Sequence, residues 1–323
     1  MKHMVSLHNL TPEQLNRIHD IAPEYHITVG KKTELDPRQL QEAEILIGWS
    51  RGIAEHVLAE NSKLRWLQTW SAGVDKLPLN QLATKNILLT NSSGVHATPI
   101  SESIFAMMLA FSRGIQRSIL NQHEQKWDPK VGWNRSSTLA ELRGTTAVIV
   151  GVGEIGSQTA RLAKAFGMKV MGVRRSGKDA PHVDHMYTME GLHEALSQGD
   201  YIINILPLTD ETHHMFDTAA FAACKRGACF INVGRGPTVH TAALLVALNE
   251  GIIRAAGLDV FEEEPLPQDH PLWTMEQVLI TPHIAGSTDH YDERVVDIFV
   301  DNLKAYMEGK GLPRNLVDYR LKY

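Results

Sequence analysis

The sequence predicts an α/β protein of two parallel-sheet domains, one inserted into the other. Three observations carry this. Short apolar runs alternate with helical stretches along the 323 residues. A glycine turn, Gly151-Val152-Gly153-Glu154-Ile155-Gly156, follows the apolar run Thr146–Val150 and precedes a helical pattern. That turn stands in mid-chain, after an α/β alternation of its own has already run. A chain of this length is long for one core and comfortable for two.

The elements follow in order. Thr11-Pro12-Glu13-Gln14 starts a helix, with Thr as cap, Pro at the first helical position and Gln two further on. Apolar runs at Glu44–Trp49, Leu64–Trp70 and Ile87–Asn91 read as strands separated by helices. Thr98-Pro99 opens a long helix through Ser101, Glu102, Phe105, Met108, Leu109 and Ser112. Thr146–Val150 reads as a buried strand. Ser157 to Gly167 then reads as a helix, with Ala160, Leu162, Ala163 and Phe166 as its apolar face and Gly167 as its C-cap. Further strands are expected at Met168–Val173, Asp200–Leu206, Ala228–Val233, Ala255–Val260 and Val278–Thr281. A last helix starts near Ser287-Thr288 and carries Val295, Phe299, Leu303 and Tyr306 on one face. Such alternation argues for parallel sheets, whose ligands bind beyond the strand C-termini.

Composition narrows the class. Apolar residues make up 43% and charged residues 21%, the mix of an ordinary globular protein. A net charge of -5 gives no reason to expect nucleic acid or a membrane surface as partner. No apolar run approaches the roughly 18 residues of a membrane span. The first residues lack the apolar core of a signal peptide. Cys224 and Cys229, the two cysteines, are expected to be inert thiols in a reducing, cytoplasmic setting.

Strand, glycine turn and helix together make a dinucleotide fingerprint. The first glycine permits the turn, the second lets backbone approach a pyrophosphate, and the third packs helix on strand. The helix N-terminus faces the phosphates. A mid-chain fingerprint places the dinucleotide-binding domain at 96–287. Residues 1–95 and 288–323 then form the substrate domain, because the tail is too short to stand alone. The active site is expected in the cleft between them.

An NAD-binding unit carries an Asp or Glu about 20 residues beyond the fingerprint, on the ribose 2′-OH. Here the second strand ends in Arg174-Arg175-Ser176. Two Arg and a Ser can bind a 2′-phosphate through charge-assisted hydrogen bonds, which an acid would repel. NADP(H) is therefore expected over NAD(H), with NAD(H) possible.

Three polar residues stand at strand ends further on: Arg235 in Asn232-Val233-Gly234-Arg235-Gly236, Glu264 before Pro265, and His283 in Thr281-Pro282-His283-Ile284. Hydride transfer to a 2-oxoacid needs these types. An Arg fork grips a carboxylate, a His moves the proton at the oxygen, and a carboxylate beside the His orients the ring and raises its pKa. A glycine on each side of Arg235 is expected to let it approach a ligand closely. Glu262 and Glu263 read as solvent-facing. Trp49 and Trp70 read as cleft wall or core, with a lean to core for Trp70. Arg51 could add positive charge to the cleft. His182, His185, His213 and His214 read as surface or core, and no metal is expected.

With these motifs the chain resembles the D-isomer-specific 2-hydroxyacid dehydrogenases over nearly all its length. Ser71-Ala72-Gly73-Val74-Asp75, the helix containing Glu102 and ending at Arg113, Glu141-Leu142-Arg143-Gly144 and Leu206-Pro207-Leu208-Thr209 carry the likeness. Asp269-His270-Pro271-Leu272-Trp273 and Thr281-Pro282-His283 continue it. The resemblance implies two Rossmann-like domains, the dinucleotide-binding one inserted into a flavodoxin-like substrate domain. It implies Arg235 as carboxylate anchor, His283 as general acid/base and Glu264 as its partner. Substrate contacts are implied at Ala72, Gly73 and Val74, and a nicotinamide carboxamide contact at Asp259. It implies cofactor contacts at Gly151, Gly153, Glu154, Ile155, Gly156, Leu206, Pro207, Thr212, Val233, Gly234 and Gly286, and a homodimer built through the nucleotide domain.

The expected reaction is NADPH-dependent reduction of a small 2-oxoacid, such as glyoxylate or hydroxypyruvate, to the D-2-hydroxyacid. A 3-phosphoglycerate dehydrogenase-like enzyme is the alternative within this class, although the chain ends at Tyr323 without room for a regulatory domain. Formate dehydrogenase fits less well. A nucleotide-sensing interaction protein is the alternative outside the class, and it would not need Arg235, Glu264 and His283 together.

Overall fold

The computed structural model describes residues 2–74, 76–128 and 139–320, so Asp75 of the first loop motif lies outside the described residues. The chain forms two compact units, Met1–Val95 with Asp289–Tyr323, and His96–Thr288.

The first unit runs β1 (Lys2–Ser6), α1 (Pro12–Ile21), β2 (Tyr25–Val29), α2 (Pro37–Glu42), β3 (Ala43–Ile47), α3 (Ala54–Val57), β4 (Trp66–Gln68), α4 (Leu79–Thr84) and β5 (Leu88–Thr90). All five strands are parallel, in the order β2-β1-β3-β4-β5. That is the flavodoxin-like order. The expected strands at Glu44, Leu64 and Ile87 are present but shorter, while β1 and β2 went unread. Their sequences explain this. β1 opens with exposed Lys2, and β2 is an edge strand on which Tyr25 alone is fully buried. Neither shows the continuous apolar run of a central parallel strand. α1 starts as expected. Thr11 Oγ1 accepts from Gln14 N at 3.2 Å, and Gln14 Oε1 accepts from Thr11 N at 2.9 Å.

The second unit runs α5 (Ala97–Ser112), α6 (Ile115–His123), β6 (Thr146–Val150), α7 (Glu154–Ala165), β7 (Lys169–Val173), β8 (His185–Tyr187), α8 (Leu192–Leu196), β9 (Tyr201–Asn204), α9 (Thr218–Ala223), β10 (Ala228–Asn232), α10 (Thr241–Asn249), β11 (Ile253–Leu258) and β12 (Val278–Ile280). The parallel order is β12-β11-β10-β9-β6-β7-β8. β6 lies between β7 and β9, with Val150 opposite both Val173 and Asn204. The strand order reverses there, so the glycine turn leaves β6 at a topological switch point, where ligands of such sheets bind. β9 and β10 are buried throughout, as strands covered on both faces should be. β8 went unread because it is a short edge strand with no fully buried residue.

Two helix readings need correction. α7 begins at Glu154, inside the glycine turn, and buries Gly156, Thr159, Ala160 and Ala163. Phe166 is 40% exposed and stacks on Phe105 at 5.0 Å instead of facing the sheet. A Cβ on Gly156 would lie 2.4 Å from Gly151 O, so only small residues fit where α7 meets β6. The last helix, α11 (Tyr291–Met307), starts later than expected and returns to the first unit. It buries Val295, Phe299 and Leu303 there, while Tyr306 donates to Glu44 Oε1 at 3.0 Å. Both cysteines are buried, which pushes the thiols up to about 12 for Cys224 and about 11 for Cys229. Among the described residues, no helix is long and apolar enough to cross a membrane.

Candidate active site

The glycine turn has the shape a pyrophosphate requires. Gly151 takes φ +106° against the Ile205 backbone, where a Cβ would sit at 3.0 Å. A Cβ on Gly153 would meet nothing within 4 Å, so open space lies in front of the helix it begins. No side chain caps α7, which leaves its first N–H groups for an anion.

Arg174 leaves the end of β7 and folds back over this turn. Its Nη1 donates to Val152 O at 3.4 Å and its Nη2 to Asp179 O at 3.4 Å. Its Nε is buried with no partner. A buried guanidinium nitrogen without an acceptor is costly and fits a site that takes an anion. Arg175 and Ser176 are exposed beside it. Arg175 pairs with Glu211 at 3.5 Å, so an acid from the loop after β9 competes for that guanidinium. The donor set as a whole fits a dinucleotide, with positive charge beside the turn.

The loop after β9 is held from within. Leu206 N donates to Asn204 Oδ1 at 3.2 Å, and Thr212 Oγ1 donates to Pro207 O at 2.6 Å. Thr212 thus shapes the loop with its hydroxyl proton. Gly234 N donates to Asn232 Oδ1 at 3.2 Å, and Asn204 Nδ2 donates to Asn232 Oδ1 at 3.0 Å and Thr238 Oγ1 at 2.7 Å. Sequence reasoning missed Asn204, Asn232 and Thr238. The available signal was an Asn ending each of two fully apolar strands.

His283 and Glu264 meet. Glu264 Oε2 lies 2.7 Å from His283 Nδ1, and Glu264 Oε1 accepts from Phe261 N at 3.0 Å. Burial pushes the Glu264 carboxyl up. Its bonds to His283 and the Phe261 amide outweigh this and hold it below the usual carboxylate range, with the charges of His283 and Arg235 adding to the effect. An ionised carboxylate only accepts, so Nδ1 carries the proton and Nε2 faces away from Glu264. Arg235 is exposed at the end of β10, and its Nη1 donates to Gly234 O at 2.8 Å.

The His283 backbone is left-handed, at φ +55°. Asp259, 2% exposed at the end of β11, enforces this. Asp259 O accepts from His283 N at 2.9 Å, Oδ1 from Thr281 Oγ1 at 2.5 Å and Ile284 N at 2.9 Å, and Oδ2 from Ala285 N at 3.0 Å. The expected carboxamide contact is therefore also the clamp of the histidine loop. Gly286 ends this loop with its carbonyl 2.9 Å from His96 Nδ1.

The glycines flanking Arg235 make room for protein backbone, a role the sequence reading did not include. A Cβ on Gly236 would lie 1.7 Å from Phe261 O, and one on Gly234 would lie 2.6 Å from Leu206 O. Glu262 is exposed, as expected, but it is not free. Both its oxygens are engaged, with His214 Nε2 at 2.7 Å and Thr241 N at 2.6 Å.

In the first unit, Ala72, Gly73 and Val74 follow β4. Ser71 Oγ donates to Gly73 O at 2.8 Å. Trp70 stacks on His8 at 4.3 Å and its Nε1 donates to Asp292 at 2.9 Å, so it is only partly core. Trp49 is half-buried, and its Nε1 has no partner. Among the described residues, no group of three His, Cys, Asp or Glu is placed to hold a metal ion.

Known proteins match this arrangement. Residues 105–285 fit the family model described as D-isomer specific 2-hydroxyacid dehydrogenase, NAD binding domain. Glyoxylate/hydroxypyruvate reductase B of an Enterobacter species is 35% identical over 327 residues, covering 98% of each chain. A D-isomer specific 2-hydroxyacid dehydrogenase family protein of Aeromonas salmonicida superposes with a TM-score of 0.78 at 34% identity, covering 98% of this chain and 99% of that one. A D-isomer specific 2-hydroxyacid dehydrogenase of Xanthobacter autotrophicus, solved with NADPH and MES, gives 0.77 at 26% identity, covering 100% and 99%. The domain match and the relative of this identity and span show that the chain belongs to the D-isomer specific 2-hydroxyacid dehydrogenase family, as an NAD(P)-dependent oxidoreductase.

Proposed function

We propose that the protein reduces a small 2-oxoacid, such as glyoxylate or hydroxypyruvate, to the D-2-hydroxyacid with NADPH. The observation that carries this is the 2.7 Å bond between His283 Nδ1 and Glu264. It gives the ring one fixed proton and points the other nitrogen away, as a general acid beside a carbonyl needs. When bound, a reduced nicotinamide supplies the hydride. His283 Nε2 holds the proton that the carbonyl oxygen receives. Glu264 orients the ring through its bond to Nδ1. Arg235 grips the substrate carboxylate; its side chain is exposed, and its Nη1 bond to Gly234 O steadies the guanidinium. Ala72, Gly73 and Val74 are proposed as amide contacts for the same substrate.

Gly151, Gly153, Glu154, Ile155 and Gly156 would hold the pyrophosphate on the first turn of α7. Arg174, Arg175 and Ser176 would hold the 2′-phosphate, with the unpartnered Arg174 Nε as the supporting observation. Leu206, Pro207, Thr212, Val233, Gly234, Asp259 and Gly286 complete the proposed cofactor contacts. The name of the Enterobacter relative and the NADPH in the Xanthobacter structure agree with this reading.

The test is loss of NADPH absorbance with a panel of 2-oxoacids of graded side-chain length. Turnover of a short 2-oxoacid is expected. His283→Ala should cut kcat on the order of 10²- to 10⁴-fold, the usual share of general acid–base catalysis. Cofactor binding without turnover of any panel member would overturn the reading in favour of a sensor.

A further inference from the structure

Glu262 lies two residues before Glu264, yet it does different work. One oxygen, Oε2, accepts from the N–H of Thr241, the first residue of α10, at 2.6 Å. His240, at the N-cap, makes no side-chain cap of its own, so Glu262 supplies the cap from another loop. The other oxygen, Oε1, pairs with His214 Nε2 at 2.7 Å. His214 is itself fixed. Its backbone is left-handed at φ +50°, and its N–H donates to Pro237 O at 2.9 Å. Its ring packs on His213 at 3.9 Å and edge-on against His240 at 4.9 Å.

One carboxylate therefore ties three segments together. They are the end of the 206–214 loop, the start of α10 just beyond Arg235, and the loop after β11 that carries Glu264. The last two are already in backbone contact, because Gly236 leaves room for Phe261. Phe261 N in turn donates to Glu264 Oε1 at 3.0 Å. Glu262 is thus linked to the His283 ring through its chain neighbour Phe261 and through Glu264. We infer that Glu262 and His214 are a positioning pair for this reaction, acting through Glu264 by holding its loop against the Arg235 loop. The inference rests on the proposed role of Glu264 and His283.

A double-mutant cycle tests it. Glu262→Ala and Glu264→Gln are made singly and together, and kcat, the KM for NADPH, the Kd for NADPH by fluorescence and Tm are measured. Glu262→Ala should lower kcat about tenfold, the size of one charge-assisted hydrogen bond, with the NADPH Kd changed less than about twofold. In the Glu264→Gln background the same change should cost less than about twofold in kcat, because the group it positions is gone. The Tm loss should be equal in both backgrounds, which separates stability from positioning. His214→Ala, run through the same cycle, should repeat the pattern, and serves in its place if Glu262→Ala fails to fold. Glu263→Gln is the control and should leave kcat unchanged. Equal kcat losses in both backgrounds, or no loss at all, would overturn the inference and leave Glu262 as a helix cap. If Glu264→Gln alone leaves kcat intact, the proposed role of Glu264 falls, and this inference with it.

Discussion

His283 is held in a backbone region that an L-residue enters at a cost of about 1–3 kcal/mol. The Asp259 clamp on the loop that follows supports it, and its reward is a ring aimed at Glu264. This arrangement has a pH signature. The folded Glu264 carboxyl sits below its unfolded value, so its contribution to stability is fully present above the usual carboxylate range. It is lost as pH falls through the depressed folded value. Wild type should therefore be more stable than Glu264→Gln at pH 7, and the gap should close in urea titrations run below about pH 4, beneath the ordinary Glu pKa. At neutral pH, Glu264→Gln should also lower kcat on the order of 10²-fold, the low end of general acid–base effects. The second residue-scale prediction concerns Arg174. Arg174→Asp should move the kcat/KM ratio for NADPH over NADH toward NADH by 10-fold or more, about the effect of one lost charge-assisted bond plus a new repulsion. An unchanged ratio would show that Arg174 does not read the 2′-phosphate.

At the scale of elements, the loops at strand C-termini are set by where glycine lets one backbone touch another. Gly236 is the clearest case, with the Phe261 carbonyl filling the space of its missing Cβ. Gly236→Ala should push apart the loops bearing Arg235 and Glu264. Overpacking of this kind costs about 1–3 kcal/mol, a fall in Tm of roughly 2–12 °C for a unit of this size. Calorimetry and kcat should both register it, while NADPH affinity changes little. A second element-scale feature is the Glu44 carboxylate, which accepts from Tyr25 at 2.5 Å and from Tyr306 at 3.0 Å. It joins α11 to the β1–β3 end of the first sheet. The Glu44 carboxyl is held low because these bonds and that of Lys2 outweigh its burial.

At the scale of the whole molecule, each unit is a parallel sheet with a switch point, and the second places the glycine turn at that point. α6 presents Ile115, Ile119 and Leu120 to solvent, and Trp127 just beyond it is exposed as well. An apolar face of this kind on a nucleotide-binding unit suits the homodimer that the resemblance implies, which we propose for this chain. Light scattering after size exclusion should give twice the 36.0 kDa chain mass, and Ile119→Asp should shift the population toward monomer. A monomer at micromolar concentration would refute the dimer.

The sequence by itself determined the alternation of elements and the fingerprint, and it offered Arg235 and His283 as candidates, with Glu264 added by the family resemblance. These depend on local chemistry: buried parallel strands must be apolar, a pyrophosphate turn must be glycine, and a proton relay needs titratable side chains. Edge strands β2 and β8 stayed hidden because a half-exposed strand need not be apolar. Other features were decided only by tertiary structure. The glycines beside Arg235 serve the Phe261 and Leu206 backbones, Asp259 clamps the His283 loop, and Glu262 joins three loops through His214 and Thr241. Each depends on a partner distant in the chain. A glycine or carboxylate looks the same in sequence whether its neighbour in space is solvent, ligand or another loop.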